Sequence, residues 1–516
     1  MKRIKLIGII LLLTSFAQAQ NEVDALVFSQ SFYQGTARSM AMGGAFGALG
    51  ADFSTLSTNP AGMGLYRSSE FTFTPEISTG KTASTYNGMF GEDSRTNLGI
   101  SNLGFIITNP IPEGTTSTPW RYYQFAFGMN RTNSFNNRSF IRGDNDEHSL
   151  VDVYLDEIWS TYPNDKDIAD KFPFDIFPAW SVYVIDTIRN EDGDLIYSSP
   201  VPPGGIRQQK QTKTWGSNSE WLFAASANLD DKLFLGATVG LPYIRFFEES
   251  VYSEYDAADA DPYFDEWNYK ETRESKGWGI NLKLGAILWP VEWLRIGAAF
   301  HTPTYYYGLN DVWYTSTDAT LVPFYSTEMV YNRKDSPTGE YEYELTTPLK
   351  AIGSVAFIIG KYGSVSADYE FVDYSNMKLR SVAVCYWPVP LLMSDYSNMK
   401  LRSVGYSFTD ENDNIKDIYG STANLRLGTE WRFSNLSFRA GYAIYGSPYA
   451  KGNDFELTNL SFGIGYSERD FSLDLAYVNG QRSNNYYLYS SVNWETNPAK
   501  QEFTSNHFAL TARFKF

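Results

Sequence analysis

Three histidines, one cysteine and a scatter of carboxylates are the residues of this 516-residue chain best suited to chemistry. His148, His301 and His507 stand far apart, and no His-x-x-x-His or cysteine pair completes a metal-ligand spacing. A nucleophilic serine would need a histidine and an orienting acid; His148-Ser149 offers only adjacency in sequence, which is not a triad. Asp256, Asp259, Asp261 and Asp265 could gather round Ca²⁺, yet the turn glycine of an EF-hand is missing and solvated carboxylates are the simpler reading. Cys385 has no partner for an intramolecular disulfide. Gly43, Gly44, Gly47 and Gly50 invite comparison with a phosphate-cradling loop, but Gly-x-Gly-x-x-Gly is absent and no βαβ unit surrounds them. The tripeptide Arg142-Gly143-Asp144 has an adhesive form and is short enough to be coincidence. These sets point to no enzyme and require no cofactor.

The elements carry more information than the reactive groups. From His507 to Phe516, Phe508, Leu510, Ala512, Phe514 and Phe516 share one face, while His507, Ala509, Thr511, Arg513 and Lys515 share the other. This strict period of two belongs to a strand with one apolar and one polar face. A soluble protein rarely ends on such a strand. A bacterial outer-membrane barrel closes on one, and its terminal aromatic, here Phe516, resembles the signal read by the barrel-assembly machinery. At the other end Lys2, Arg3 and Lys5 precede an apolar run from Leu6 to Leu13, with Ala17-Gln18-Ala19 as a small-x-small cleavage site. We read residues 1–19 as a secretory leader whose apolar core is too short to span a bilayer.

Composition agrees with a membrane barrel. The chain is 43 % hydrophobic, and its mean hydropathy is −0.33. That looks soluble, yet a barrel needs apolar residues only at alternate positions. Tyr, Phe and Trp make up 16 % of residues, as aromatic girdles at both membrane interfaces require. The formal charge is −17, and removing the three leader cations leaves −20. No basic field exists to attract phosphates, so nucleic acid is excluded as a partner. Outer-membrane lipids and lipopolysaccharide fit better, since acidic loops can bridge the latter through divalent cations, although solvation alone also explains those loops.

Five tight connections join alternating strands: Leu229–Lys232, Pro290–Glu292, Gly360–Gly363, Phe433–Asn435 and Glu468–Asp470. Longer segments rich in Asp, Asn, Ser, Thr and Gly lie between these hairpins. The pattern predicts about fourteen strands, near 69–80, 97–108, 119–132, 217–230, 232–250, 268–290, 293–310, 341–359, 362–373, 417–433, 435–447, 456–467, 469–483 and 503–516. Parity puts all five tight turns on one side, together with both termini. The expected fold is therefore all-β: a transmembrane antiparallel β-barrel over 69–516, preceded by residues 20–68. The largest extracellular loop is expected at 133–216. Within it Val151, Tyr154, Leu155 and Ile158 recur at helix spacing, followed by an apolar patch of Phe172, Phe174, Ile176, Phe177 and Trp180. That patch either marks a binding surface or packs the loop on itself. A second loop, 373–416, contains a tandem duplication: Asp373–Val382 recurs identically at Asp395–Val404. Insertion there costs little in an outer loop.

Residues Gly35 to Gly50 form a small-residue, glycine-rich run, followed by Asn59-Pro60-Ala61-Gly62. This arrangement, after a leader and before a barrel, resembles the FadL/TodX-type family of outer-membrane transporters for hydrophobic compounds. The resemblance implies a fourteen-stranded barrel plugged by an N-terminal luminal hatch, with Asn59, Pro60 and Ala61 in the gate beside Gly43, Gly44 and Gly47. It also implies a monomer in the bacterial outer membrane that takes up a hydrophobic small molecule passively, such as a long-chain fatty acid or an aromatic hydrocarbon. In that picture ligand is captured at an extracellular apolar patch, for which Phe172, Phe174, Phe177 and Trp180 are candidates, and leaves sideways through the barrel wall. The glycines suit a plug, allowing close backbone packing and positive φ. Two other possibilities stay open: a surface adhesin or structural barrel acting through its loops, and a haem or polar-solute porin.

Overall fold

The period-two alternation runs round a closed wall. The computed structural model describes residues 22–516 apart from 33, 112–118, 162–167, 190–192, 194, 203, 258–260, 383–405, 452–454 and 492. The leader, Cys385 and the second copy of the duplication lie outside the described residues. Fourteen antiparallel staves form the barrel. They begin with β1 (Glu70–Tyr86), β2 (Met89–Pro110), β3 (Trp120–Ser134, continuing as Asn137–Asn145), β4 (Ile206–Leu229) and β5 (Leu233–Tyr255). Next come β6 (Phe264–Val291), β7 (Leu294–His301, continuing as Tyr305–Leu321), β8 (Val330–Asp335, Gly339–Thr346 and Lys350–Ile359) and β9 (Gly363–Asp373). The remainder are β10 (Ser421–Phe433), β11 (Leu436–Tyr445), β12 (Leu457–Ser467), β13 (Phe471–Tyr486) and β14 (Ala499–Lys515). Pairing of β1 with β14, from Glu70↔Lys515 to Thr85↔Lys500, closes the ring.

The side chains are arranged inside out relative to a soluble protein. On β14, Phe508, Leu510 and Phe514 are exposed, whereas Ala509, Thr511 and Arg513 are buried. The same outward apolar set recurs on β6 with Ile280, Leu282, Leu284 and Leu288 and on β12 with Leu460, Phe462 and Ile464. Such a band is stable only against hydrocarbon. Near the tight turns Trp293, Tyr362, Phe433 and Tyr466 lie exposed at the rim, where amphipathic rings settle at a membrane interface. Phe516 N–H donates to Ser69 O at 3.1 Å, so the end of β14 meets the start of β1 on that short-turn side.

Each of the fourteen expected strands is a stave, but several run further than alternation predicts. β1 and β2 continue to a turn at Asn87-Gly88, with φ of 45° and 79°. β3 extends to Asn145 and β4 starts at Ile206, so the large loop spans 146–205 and is shorter than the expected 133–216. These extensions rise above the apolar band, where the outer strand face meets water instead of hydrocarbon and the inner face packs on the loop. Gln208-Gln-Lys-Gln-Thr-Lys213 on β4 therefore carries no period-two signal. The loop holds α3 (Leu150–Thr161), α4 (Ile168–Lys171), α5 (Ile176–Ser181) and a small hairpin of Asp186–Arg189 with Leu195–Ser198. Residues of the 373–416 loop form a short strand, Lys378–Ser381, paired with β8, and a helix, Thr409–Ile418.

Inside the wall, inward positions carry charge. Arg439 on β11 bonds Glu430 on β10 at 2.6 Å and Asp474 on β13 at 2.7 Å, and Asp474 also accepts from Arg513 on β14 at 2.7 Å. All four are buried. Breaking one member of such a set strands the others without a counter-charge. Asp474→Ala should therefore destabilise the barrel by about 3–5 kcal/mol, read as a lower denaturant midpoint in the gel shift of unheated detergent samples. An unchanged midpoint would mean the network adds nothing to stability.

Candidate functional site

The lumen is filled first by the segment from Gln34 to Tyr66. Thr36 caps the short helix Ala37–Ala41, its hydroxyl accepting from Ser39 N–H, and donates to Asp52 Oδ1 at 2.7 Å. Gly43 and Gly50, with φ of 62° and 65°, reverse the chain where an L side chain would be strained. Asp52 caps the 3-10 turn Phe53–Ser57, and Asn59 caps the next, Pro60–Leu65, with Pro60 at its first position. Asn59 does more than cap. Its Oδ1 accepts from Ala61 N–H at 3.1 Å, while its Nδ2 donates to Gly47 O at 2.6 Å and to Ala286 O of β6 at 3.2 Å. One side chain thus ties two parts of the segment to each other and to the wall.

The wall accommodates this segment by lacking side chains. A Cβ at Gly104 would collide with the Phe53 ring, at Gly236 with Pro60, at Gly285 with Asn59, at Gly297 with Gly47, at Gly428 with Met42 and at Gly441 with Gly43. Five of these wall glycines face another glycine across a ladder, in the pairs Gly104↔Gly128, Gly236↔Gly285 and Gly428↔Gly441. Side chains from the staves then satisfy the backbone of the segment. Asp368 accepts from Gly47 N–H at 3.0 Å, Thr511 Oγ1 from Ala37 N–H at 2.6 Å, Arg295 donates to Leu49 O at 2.7 Å and the His301 ring to Thr58 O at 2.6 Å. Arg38 joins the luminal charge network by donating to Glu430 at 2.8 Å. The structure therefore brings Gly43, Gly44, Gly47, Asn59, Pro60 and Ala61 together in one seated segment across the barrel.

Above that segment α1 (Glu22–Ser29) packs Ala25, Leu26 and Phe28 against Ile244, Tyr306, Tyr343 and Val372 on the β5–β9 side. Arg273 of β6 holds α1 through Asp24 at 2.6 Å and also bonds Glu248 at 3.2 Å. Opposite, between α1 and the walls of β1, β3 and β11–β14, lies a cavity of about 690 Å³. Leu26, Phe32, Met40, Tyr445, Phe455 and Phe503 give it an apolar lining, with Gln34, Arg273, Arg482 and His507 among its polar groups. Size and lining suit a small organic ligand.

The wall beside this cavity is incomplete. The β2–β3 ladder runs from Pro110↔Tyr122 to Asn102↔Asn130 and stops, leaving Met89–Ser101 laddered to β1 alone. Beyond the stop β3 is irregular at Arg131/Asn133, and Asn137–Asn145 pairs with β4 while passing behind the β1–β2 hairpin. There Gly91 admits Phe140 O, and Arg142 Nε donates to Phe90 O at 2.9 Å. An open strand edge is tolerated at membrane depth only where protein or water covers it. Here side chains cross the interruption. Arg131 pairs with Glu76 of β1 and donates to Gln34 at 2.6 Å, and the His507 ring meets the other Glu76 oxygen at 2.6 Å.

The 146–205 loop lies at the other end of the barrel from the seated segment. Val151, Tyr154 and Ile158 of α3 pack with Ile176 and Ala179 of α5 onto strand ends at Tyr86, Ile141, Tyr252, Trp267 and Leu321. Glu254 of β5 anchors this cap, accepting from Leu150 N–H at 2.9 Å, Ser149 Oγ at 2.5 Å and Trp267 Nε1 at 2.8 Å. The apolar run, for which a binding surface and internal loop packing were both open, is mostly folded into the cap. Phe172 is buried, and Phe174, Phe177 and Trp180 are half-buried. Phe174 sits 5.4 Å from the Trp313 ring, and Lys334 lies over Phe177. Arg142-Gly143-Asp144 is laddered to β4, which removes it as an adhesive loop. Sequence reasoning missed Asp24, Glu76, Arg131, Arg273 and Arg482. Strand parity would have placed the last on the luminal face of β13, but nothing local announces the partners of any of them.

No protein-family model matches the sequence, and no curated protein matches it. Solved structures do share its architecture. The P. putida toluene transporter TodX aligns over 94 % of this chain and 99 % of its own, with a TM-score of 0.54 and 13 % identity. A Pseudomonas aeruginosa FadL homologue aligns over 94 % and 100 %, with a TM-score of 0.51 and 13 % identity. The chain has the FadL-type outer-membrane barrel fold. The N-terminal segment within it fits a plug, and the apolar exterior places the barrel in the outer membrane.

Two predictions follow from the plug and the cap. Asn59→Ala removes a cap worth about 1–2 kcal/mol and both ties to Gly47 and Ala286. Amide exchange over residues 47–66 should rise while the barrel ladders stay protected; equal protection in the variant would show that Asn59 does not hold the plug. In the cap, burial and then the Asp175 carboxylate push the Glu157 acid up to about 7. A raised acid stabilises fully below its unfolded value and loses that contribution as pH climbs through 7. Exchange of α3, corrected for its intrinsic pH dependence, should thus accelerate between pH 5 and pH 8 in the wild type and stay level in Glu157→Gln.

Proposed function

We propose that this protein is a passive channel that carries hydrophobic small molecules, such as long-chain fatty acids or aromatic hydrocarbons, across the outer membrane. The observation that carries this reading is the apolar cavity of about 690 Å³, bounded below by the plug and at its side by the interrupted β2–β3 wall. A ligand-sized apolar chamber inside a polar lumen has little structural use of its own, since an unfilled cavity forfeits packing energy. A polar-solute porin needs a water-filled lumen, whereas residues 34–66 cross this one.

In this mechanism the ligand passes the cap, for which the half-buried Phe174, Phe177 and Trp180 are the candidate capture surface, and enters the cavity beside α1. It then leaves sideways past the Arg131–Glu76 brace, where side chains rather than backbone bonds hold the wall. Asn59, Pro60 and Ala61, with Gly43, Gly44 and Gly47, act as the gate, because the ties of Gln34 and Ala37 connect the wall to the plug. Flow follows the gradient and consumes no energy. Phe516 serves recognition by the assembly machinery, and the channel works as a monomer. TodX, a toluene transporter and monoaromatic hydrocarbon channel, shares this fold and supports this class of cargo.

The test is uptake of labelled oleate and labelled toluene by cells with and without the protein, with Arg131→Ala included after confirming that it reaches the membrane. Protein-dependent entry of either solute, altered several-fold when the brace is removed, is the expected result. Entry that is independent of the protein for both solutes would sink the channel reading and leave a loop-based surface role in its place.

A further inference from the structure

In a chain whose net charge is −17, the outer face of β3 to β6 carries a patch of positive charge. Exterior Lys81 and Lys500 each sit beside a carboxylate, Glu92 at 2.8 Å and Glu502 at 3.0 Å. On β3 to β6 the pattern differs. Arg138 of β3 stands directly opposite Lys213 of β4, and Arg245 of β5 directly opposite Lys276 of β6. Like charges that face each other across a ladder are destabilising. Arg95 of the β1–β2 hairpin joins them, donating to Thr214 O at 3.3 Å and feeling the repulsion of Arg138. Glu249 is bonded to Lys213 at 3.0 Å and Glu274 to Lys276, which leaves Arg95, Arg138 and Arg245 in no ion pair with any described residue. Arg138 Nε is buried without a hydrogen-bond partner. The stacked rings of Trp215 and Phe247, 5.1 Å apart, take part of the charge, with Lys213 4.5 Å and Arg245 4.9 Å from their respective centres. Ring faces accept little from guanidinium N–H donors, so the patch still lacks anions.

Height decides which anion can reach it. Outward Leu235 and Val239 of β5, with Leu284, Leu282 and Ile280 of β6, belong to the apolar band, which ends at the rings of Tyr243 and Trp278, 4.6 Å apart. Arg245 and Lys276 are the next outward residues above those rings, at the level of lipid headgroups. We propose that this face seats lipopolysaccharide, the phosphates of its lipid A lying between the opposed cations and its acyl chains on Tyr243, Trp278 and the band below. Phosphate suits the site because a guanidinium binds it through two parallel bonds, and each phosphate relieves the repulsion of the cations around it. Arg95 belongs to the β1–β2 hairpin and Arg138 to the part of β3 behind it, so a phosphate between them bridges two segments that the β2–β3 ladder leaves apart. The seat lies outside the lumen and does not depend on what the channel carries.

The experiment measures binding of three fluorescently labelled lipids to the folded full chain in detergent micelles containing EDTA. They are bisphosphorylated lipid A, the same lipid A stripped of its phosphates, and dioleoylphosphatidylglycerol. Wild type, Arg138→Gln, the double substitution Arg245→Gln with Lys276→Gln, and the exterior control Lys500→Gln are compared, each first checked for the gel shift of a folded barrel. Wild type and control should bind bisphosphorylated lipid A on the order of tenfold more tightly than either other lipid, the scale of one charged hydrogen-bonded contact. The double substitution should bring the three lipids within about twofold, and Arg138→Gln should lose part of the preference. Equal binding of the two lipid A forms by the wild type, or an undiminished preference in the double variant, overturns the proposal. Phosphatidylglycerol bound as tightly as lipid A overturns it in favour of a general anionic-headgroup surface. Binding that appears only when Ca²⁺ replaces EDTA also overturns it, assigning the contact to acidic loops bridged by the metal.

Discussion

Close approach of two backbones inside a closed barrel is the constraint on which the rest of this structure depends. A plug crossing a lumen brings polar peptide groups into a space where water is scarce, and each group needs a partner. The chain meets that need by omitting side chains from the wall at Gly104, Gly128, Gly236, Gly285, Gly428 and Gly441 and letting the plug lie almost on the staves. Asp368, Thr511, Arg295 and His301 then reach in from neighbouring strands to bond the plug backbone. The glycines supply room and the polar residues supply specificity; neither would seat the segment alone.

Filling the lumen in this way decides where open space remains. The plug occupies the short-turn half, and α1 leans on β5–β9 through Phe28 and the Asp24–Arg273 pair. What is left is a chamber against β1, β3 and β11–β14. The staves next to that chamber are also those with the weakest wall, because β3 departs from β2 after Asn130. Arg131, Glu76 and Gln34 close the interruption with side chains, which exchange partners more easily than a ladder does. Chamber, interruption and plug are therefore one connected arrangement.

Much of the barrel was legible beforehand. Outward residues such as Phe508, Leu510 and Phe514 face hydrocarbon while their neighbours face a polar lumen, so alternation survives in the sequence wherever the strand lies within the bilayer. It fades where strands rise into water, which is why the turn at Asn87-Gly88 and the polar start of β4 were not foreseen. The plug was legible through the family resemblance of its glycine-rich run and Asn59-Pro60-Ala61, and its turn for a local reason: Asn59 caps and Pro60 begins it whatever surrounds them. The apolar run at Phe172–Trp180 was ambiguous because hydrophobicity alone does not distinguish an exposed patch from the core of a loop. In the fold it became largely the latter, with Phe172 buried beneath α3 and α5.

The sequence by itself determined the class of object: an all-β membrane barrel of fourteen strands, with short turns on one side and a glycine-rich segment ahead of it. Those features follow from local periodicity and from single-residue backbone chemistry, both of which are written along the chain. Only the tertiary structure decided which glycines seat the plug, where the chamber falls, and that Arg482 stands between the rings of Phe455 and Phe503. These depend on strand register and on residues far apart in sequence. Gly428 has meaning only because Gly441 lies opposite and Met42 lies above, and Arg482 only because Phe455 and Phe503 reach it from two other segments. Register sets such neighbours through the closure of the whole ring, and no window of sequence contains the ring.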